Sequence, residues 1–231
     1  MEYTIIILIL LIILLILAKI YDFNMKKLKD YVEHEEKKLN EITNRFPSNI
    51  NICKYVLNKL HNNKVKIEEN KETQTCLYIA VTDKIVIANV KKSYTRVQTI
   101  CHECLHSIQN RKMLLFNFVY SNLYLIYFVI TLVLGIFGKV PNKNIFFCLM
   151  IIFSYIYYFI RSYLENDAMI KARYLAKEYM EETDILTQNE IKSIIGSYDT
   201  VNEMGIKMTN YQLFFETIIK IVIVAIVFIL K

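Results

Sequence analysis

An unbroken apolar run from Ile5 to Ala18, which Tyr3 and Tyr21 extend to about the length that spans a bilayer's hydrocarbon core, restricts this chain more than any other feature. Three further stretches are of the same kind: Leu114 to Phe137, Ile145 to Ile160, and Leu213 to Leu230. At 231 residues and 55% hydrophobic, the chain is too short for several large domains and too apolar for an ordinary soluble one. The first run opens with Met-Glu-Tyr-Thr, lacks Lys or Arg before it and is followed by no small-x-small cleavage site, so it reads as a retained anchor rather than a signal peptide.

Positive residues near span ends stay on the cytoplasmic side. The connection between the first and second runs holds Lys26, Lys27, Lys29, Lys37, Lys38, Lys91, Lys92, Arg96, Arg111 and Lys112, whereas that between the second and third holds only Lys139 and Lys143. This places the long polar segment in the cytoplasm of a multi-pass cell-membrane protein, with both chain ends outside. The net charge of +6 is concentrated there, and an anionic inner leaflet accounts for it more simply than nucleic acid does, so the bilayer and not nucleic acid is the expected partner. Five cysteines, Cys53, Cys76, Cys101, Cys104 and Cys148, show no framework spacing, and no disulfide is expected.

The expected organisation is an anchor at 1–21, a cytoplasmic α+β segment at 22–112, a transmembrane hairpin at 113–161, a cytoplasmic helical segment at 162–210 and a last span at 211–231. A charged stretch from Asp22 to about Asn44 reads as a solvated helix. Ser48 can cap a short helix reaching about His61, and His34 and His61 sit in charged or turn contexts. Val65 and Ile67 alternate with lysines in a strand, and the β-branched runs Cys76 to Val81 and Ile85 to Val90 suggest a hairpin. A helix follows, with Ser93 as its cap. The segment from Arg161 to about Thr209 reads as two helices broken near Gly196 and Gly205. In the spans, Asn117, Ser121 and Asn122 suit helix–helix hydrogen bonding, and Glu216 and Lys220 suit a pair near an interface.

Within the helix after Ser93 stands His102-Glu103-Cys104-Leu105-His106, an H-E-x-x-H sequence. Two histidines four apart lie one above the other on a helix, so both imidazoles can reach one Zn²⁺ while the intervening Glu polarises a water on it. At about 100° per residue, Thr95, Gln98, Thr99, His106 and Gln109 fall within about 60° of His102, and Val97, Ile100, Cys101, Cys104, Leu105 and Ile108 take the opposite side. Cys101 and Cys104 therefore point away from the histidines despite their CxxC spacing. A catalytic zinc takes three protein ligands and an open position, so a third ligand is required. Glu165, in Glu165-Asn166-Asp167-Ala168, is the candidate: two crossings after His106 return the chain to the same membrane face, and Ala168 and Ala172 leave a low ridge for the motif helix to pack on.

The arrangement His-Glu-Cys-Leu-His-Ser-Ile-Gln109, followed after two apolar spans by Glu165-Asn-Asp-Ala168, resembles the YugP-like zinc metallopeptidases of bacterial membranes, whose pattern is H-E-x-G-H-A-x-Q and then E-F-x-A, behind an N-terminal anchor and a strand just before the motif helix. The resemblance covers nearly the whole chain. It implies that His102, His106 and Glu165 bind zinc and that Glu103 is the general base. Leu105 stands where that pattern has Gly, Ser107 where it has Ala, and Asn166 where it has an aromatic residue. The fold expected is a mainly α membrane protein with about four transmembrane helices and a small zincin-like α+β cytoplasmic part carrying a short sheet and the H-E-x-x-H helix. The expected activity is peptide-bond hydrolysis, on peptides or membrane proteins near the inner face, and the run from Ile85 to Asn89 is either an exposed strand able to pair with substrate or simply the edge of a small sheet. Two other readings use the same residues: an HtpX-like membrane endopeptidase, and a non-catalytic scaffold or regulatory subunit with a structural zinc.

Overall fold

The structure is a computed structural model and describes residues 2–20, 37–70, 75–88 and 93–231. The solvated helix expected from Asp22 therefore lies outside the described residues up to 36, as do His34, Asn89, Val90 and the lysines 26, 27, 29, 91 and 92. Among the described residues the chain is mainly helical with one small sheet. In order come α1 (Glu2–Ile20), α2 (37–43), α3 (Asn49–Lys59), β1 (Lys66–Asn70), β2 (Leu77–Ile79), β3 (Lys84–Ala88), α4 (Arg96–Ile108), α5 (Arg111–Ile136), α6 (Lys143–Glu182) and α7 (Gln188–Leu230). Four of the helices, α1, α5, α6 and α7, are long and apolar enough to cross a membrane. Two compact units emerge. The apolar one comprises α1 with 116–163 and 207–231; the polar one comprises 37–115 and 164–206.

The apolar unit is held by Leu14, Tyr124, Phe147, Met150, Ile221, Val224 and Phe228. Gly135 is needed where it stands: a Cβ there would come within 2.7 Å of the Val227 side chain, the close approach that small residues permit between membrane helices. Two of its polar side chains meet inside the unit on Tyr124, whose hydroxyl is 2.9 Å from Ser154 Oγ and whose ring lies 4.7 Å under the Lys220 ammonium. Ser121 and Asn122 do not bridge helices as expected. Their side chains donate to the carbonyls of Asn117 and Phe118 one turn back, satisfying themselves within α5.

In the polar unit the sheet order is β1-β3-β2, with β3 parallel to β1 and antiparallel to β2. The hairpin between β2 and β3 is as the β-branched runs suggest, and Asp83 takes the positive φ its turn requires. The expectation that the Ile85 strand is exposed fails. Ile85 and Ile87 are buried, and β3 has a partner on each side, so neither the exposed strand nor the sheet edge is found there: among the described residues the edges are β1 and β2. One core joins Val56 and Leu57 of α3, Ile85 and Ile87 of β3, Val97, Cys101 and Leu105 of α4, and Ala168, Ala172 and Ala176 of α6. Ala168 and Ala172 are the low ridge read from the sequence, and Ala176 extends it by a turn.

Two helix boundaries differ from expectation. Glu165 does not begin a helix but lies well inside α6, which continues from the third apolar run without a break. Likewise Gly196 and Gly205 sit inside α7. The break falls instead at 183–187, where Asp184 has φ 49° and Thr187 opens α7: the Glu190 carboxylate accepts from the Thr187 backbone N–H at 2.9 Å and the Glu190 N–H donates to Thr187 Oγ1 at 3.4 Å. That reciprocal cap sets the start of α7, and the helix runs on through two isolated glycines because tertiary context overrides propensity.

Ser48 and Ser93 do not cap through their hydroxyls: α3 begins after Ser48 and α4 after Thr95, neither with a side-chain cap bond, and Ser93 Oγ lies 2.9 Å from Thr95 Oγ1. What fixes the entrance of α4 is Arg96. Its buried guanidinium donates to the carbonyls of Thr43, Phe46 and Pro47 and to Asn49 Oδ1, at 2.7 to 3.0 Å. Asn49 in turn donates to the Ala88 carbonyl at 2.8 Å, so one cation ties the end of α2, the start of α3, the end of β3 and the first turn of α4.

Candidate metal centre

The H-E-x-x-H helix is amphipathic as its spacing requires. Val97, Ile100, Cys101, Cys104 and Leu105 are buried in the core. Ile108, assigned to the same side, is exposed because it falls in the last turn, beyond that core. Cys104 Sγ faces Cys53 Sγ at 3.7 Å on the buried side, and all five cysteines are free thiols. Leu105 packs into this core behind the histidines.

On the opposite side, His102 Nε2 and His106 Nε2 are 3.0 Å apart. Glu165 Oε2 stands 3.4 Å from the first and 3.5 Å from the second. Among the described residues this is the cluster of metal-ligating side chains whose donor atoms converge on one point. Zinc–nitrogen and zinc–oxygen bonds of about 2.0–2.1 Å in a tetrahedral shell separate ligand atoms by about 3.3 Å, and the three distances scatter around that value. The donor set of two imidazoles and one carboxylate is also the type that leaves a fourth position open. The residues present thus fit a divalent ion of zinc's size. All three side chains are at most 18% exposed, and the cluster lies entirely within the polar unit.

Glu103 is buried beside this triangle, and its Oε2 accepts the Tyr78 backbone N–H at 2.6 Å. Burial pushes its carboxyl above the ordinary value, His102, His106 and the Tyr78 N–H oppose the rise, and Glu165 adds to it. The Tyr78 phenol is itself engaged with Asp83 Oδ1 at 2.9 Å, and burial together with that carboxylate pushes it up to about 12. For His106, burial disfavours the charged form, but Glu165 and Gln109 outweigh it and raise its pKa.

All four residues expected in the site are therefore brought together. Three further groups were not foreseen in this role: the Tyr78 backbone N–H, Gln109 and Asp167. Gln109 Oε1 lies 2.8 Å from His106 Nδ1, while its Nε2 donates to the Leu164 carbonyl at 2.8 Å and to Asp167 Oδ2 at 3.0 Å. Gln109's place on the histidine face, three residues past His106, was a legible signal; the strand N–H carries none in the sequence. Comparisons with protein-family models, curated proteins and solved structures find no match to this chain.

Proposed function

We propose that this chain is a membrane-embedded zinc metallopeptidase of the YugP-like kind, with a zincin-like polar part, in which His102, His106 and Glu165 hold the metal and Glu103 is the general base. The observation that carries this reading is the triangle of two Nε2 atoms and one carboxylate oxygen at 3.0 to 3.5 Å, with a second, buried carboxylate beside it. Held by His102, His106 and Glu165, a zinc ion would supply Lewis acidity, lowering the pKa of a bound water toward about 7 and polarising a carbonyl. Glu103, held through Oε2 by Tyr78, keeps Oε1 for the proton of the attacking water and returns that proton to the leaving amine. A purely structural zinc favours a closed, cysteine-rich shell, whereas the cysteines of α4 are buried on the other side of the helix.

Detergent-purified protein should carry one equivalent of zinc per chain. His106→Ala should abolish it, and Glu165→Ala should weaken binding beyond the roughly 10–100-fold typical of losing an outer-shell partner, measured by competition with a chromogenic chelator. Unchanged affinity in Glu165→Ala would remove Glu165 from the ligand set.

The site is assigned to the cytoplasmic face, with both chain ends outside, on the Lys and Arg bias and the count of four spans. Single cysteines replacing Lys64 and Glu181, in a Cys148→Ser background, should react with an impermeant maleimide only after the membrane is opened, and one replacing Lys139 in intact cells. Reaction of Lys64→Cys and Glu181→Cys from opposite sides would dismantle the site. Substrates would be peptides or membrane-protein segments presented near the inner face.

A further inference from the structure

The three hydrogen bonds of Gln109 allow only one orientation of its amide. Turning it over would press the amide oxygen against the Leu164 carbonyl and the Asp167 carboxylate, two acceptors, so the NH₂ group must face them and Oε1 must face His106. An amide oxygen can only accept, and His106 Nδ1 is consequently the protonated nitrogen. Its Nε2 is left with a free lone pair, pointing at His102 and Glu165. The other end of the same amide grips α6 at the carbonyl immediately before Glu165. Lys171 pairs with Asp167, and although burial works against the Asp167 charge, Lys171 and Gln109 hold its carboxyl below the ordinary value.

Resting on the metallopeptidase reading above, we propose that Gln109 is the positioning residue of this centre, selecting the metal-binding tautomer of His106 and tethering the helix that carries Glu165. It sits at the C-cap of α4 with φ −62° and ψ 162°, where the chain has left the helix, so its side chain reaches across to α6 instead of running along its own. Outer-shell partners of this type orient ligands and raise their basicity. The requirement is specific: a group that accepts from the imidazole and donates twice to α6. Leucine meets neither demand. Glutamate meets the first and repels on the second.

With four histidines in the chain, ¹⁵N-histidine spectra of metal-free protein at mildly alkaline pH can resolve the His106 tautomer, with His106→Asn as assignment control. Wild type should show Nδ1 protonated, and Gln109→Leu should lose that preference. A wild-type His106 protonated on Nε2, or a Gln109→Leu spectrum identical to wild type, would overturn the proposal. A second measurement is Co²⁺ affinity. Gln109→Leu should lose about 10–100-fold. Gln109→Glu should also lose affinity, and adding Asp167→Asn should recover part of it, because carboxylate and amide are then exchanged across one hydrogen bond. Merely additive losses would mean simple disruption and would refute the tether. Should wild type bind no Co²⁺ at all, the metallopeptidase reading fails, while the tautomer spectrum still decides the role of Gln109.

Discussion

Glu103→Gln should bind zinc as tightly as wild type and hydrolyse peptides about 10²–10⁴-fold more slowly, the range a positioned general base contributes. The amide matches the carboxylate in shape, and its oxygen can still accept the Tyr78 N–H, so the substitution removes the proton acceptor and leaves the surroundings in place. Glu103 is not one of the three converging donors, which is why metal content should not follow activity. Peptide turnover and metal stoichiometry on the same preparation make the test. Metal retained with activity lost supports the enzyme; zinc without activity in both proteins supports the scaffold reading instead; loss of both would make Glu103 a structural part of the centre.

Arg96→Met should be the most damaging substitution away from the centre, lowering the stability of the polar unit by about 2–5 kcal/mol, at about 1–3 kcal/mol for each buried neutral acceptor deprived of its donor. Methionine fills much of the volume but removes the donor shared by the Phe46 and Pro47 carbonyls and the Asn49 amide oxygen, while the Thr43 carbonyl keeps only the longer 3.2 Å bond from the Phe46 N–H. Arg96→Lys should fall between, since one ammonium cannot span acceptors that a planar fork reaches from two nitrogens. Urea midpoints in micelles, read by protection of the buried cysteines Cys53, Cys101 and Cys104 against a thiol reagent, would show it. An Arg96→Met midpoint matching wild type would mean that water replaces the guanidinium freely and that the four-way tie contributes little.

The apolar runs, the β2–β3 hairpin and the H-E-x-x-H helix were readable because each is a local pattern: a length, an alternation, a four-residue spacing. What escaped was set by longer-range pairing. Ile85 and Ile87 look the same in an edge strand and in a central one, and only the return of β1 to the far side of β3 decides between them. The continuity of α6 and α7 was missed for a related reason. Apolar and polar stretches were read as separate elements, although nothing at Arg161 or Thr209 stops a helix. Gly196 and Gly205 drew attention as breakers, while the Thr187-x-x-Glu190 cap that does open α7 is itself a sequence pattern and was legible. At the centre, histidine spacing announced two ligands, and Glu165 followed from membrane topology and family likeness. Arg96 entered only as a positive charge, and its four acceptors all lie in the 43–49 junction between α2 and α3, about fifty residues upstream, which no local spacing connects to it.

The grip on Glu103 comes from the main chain of residue 78, and a main-chain donor is the same whatever side chain follows it. Position 78 is thereby released from guarding the carboxylate: in descendants of this sequence its ring can be traded for other side chains and the surroundings of the centre remodelled, with the anchored oxygen undisturbed. Only proline, which has no hydrogen to give, is closed to it.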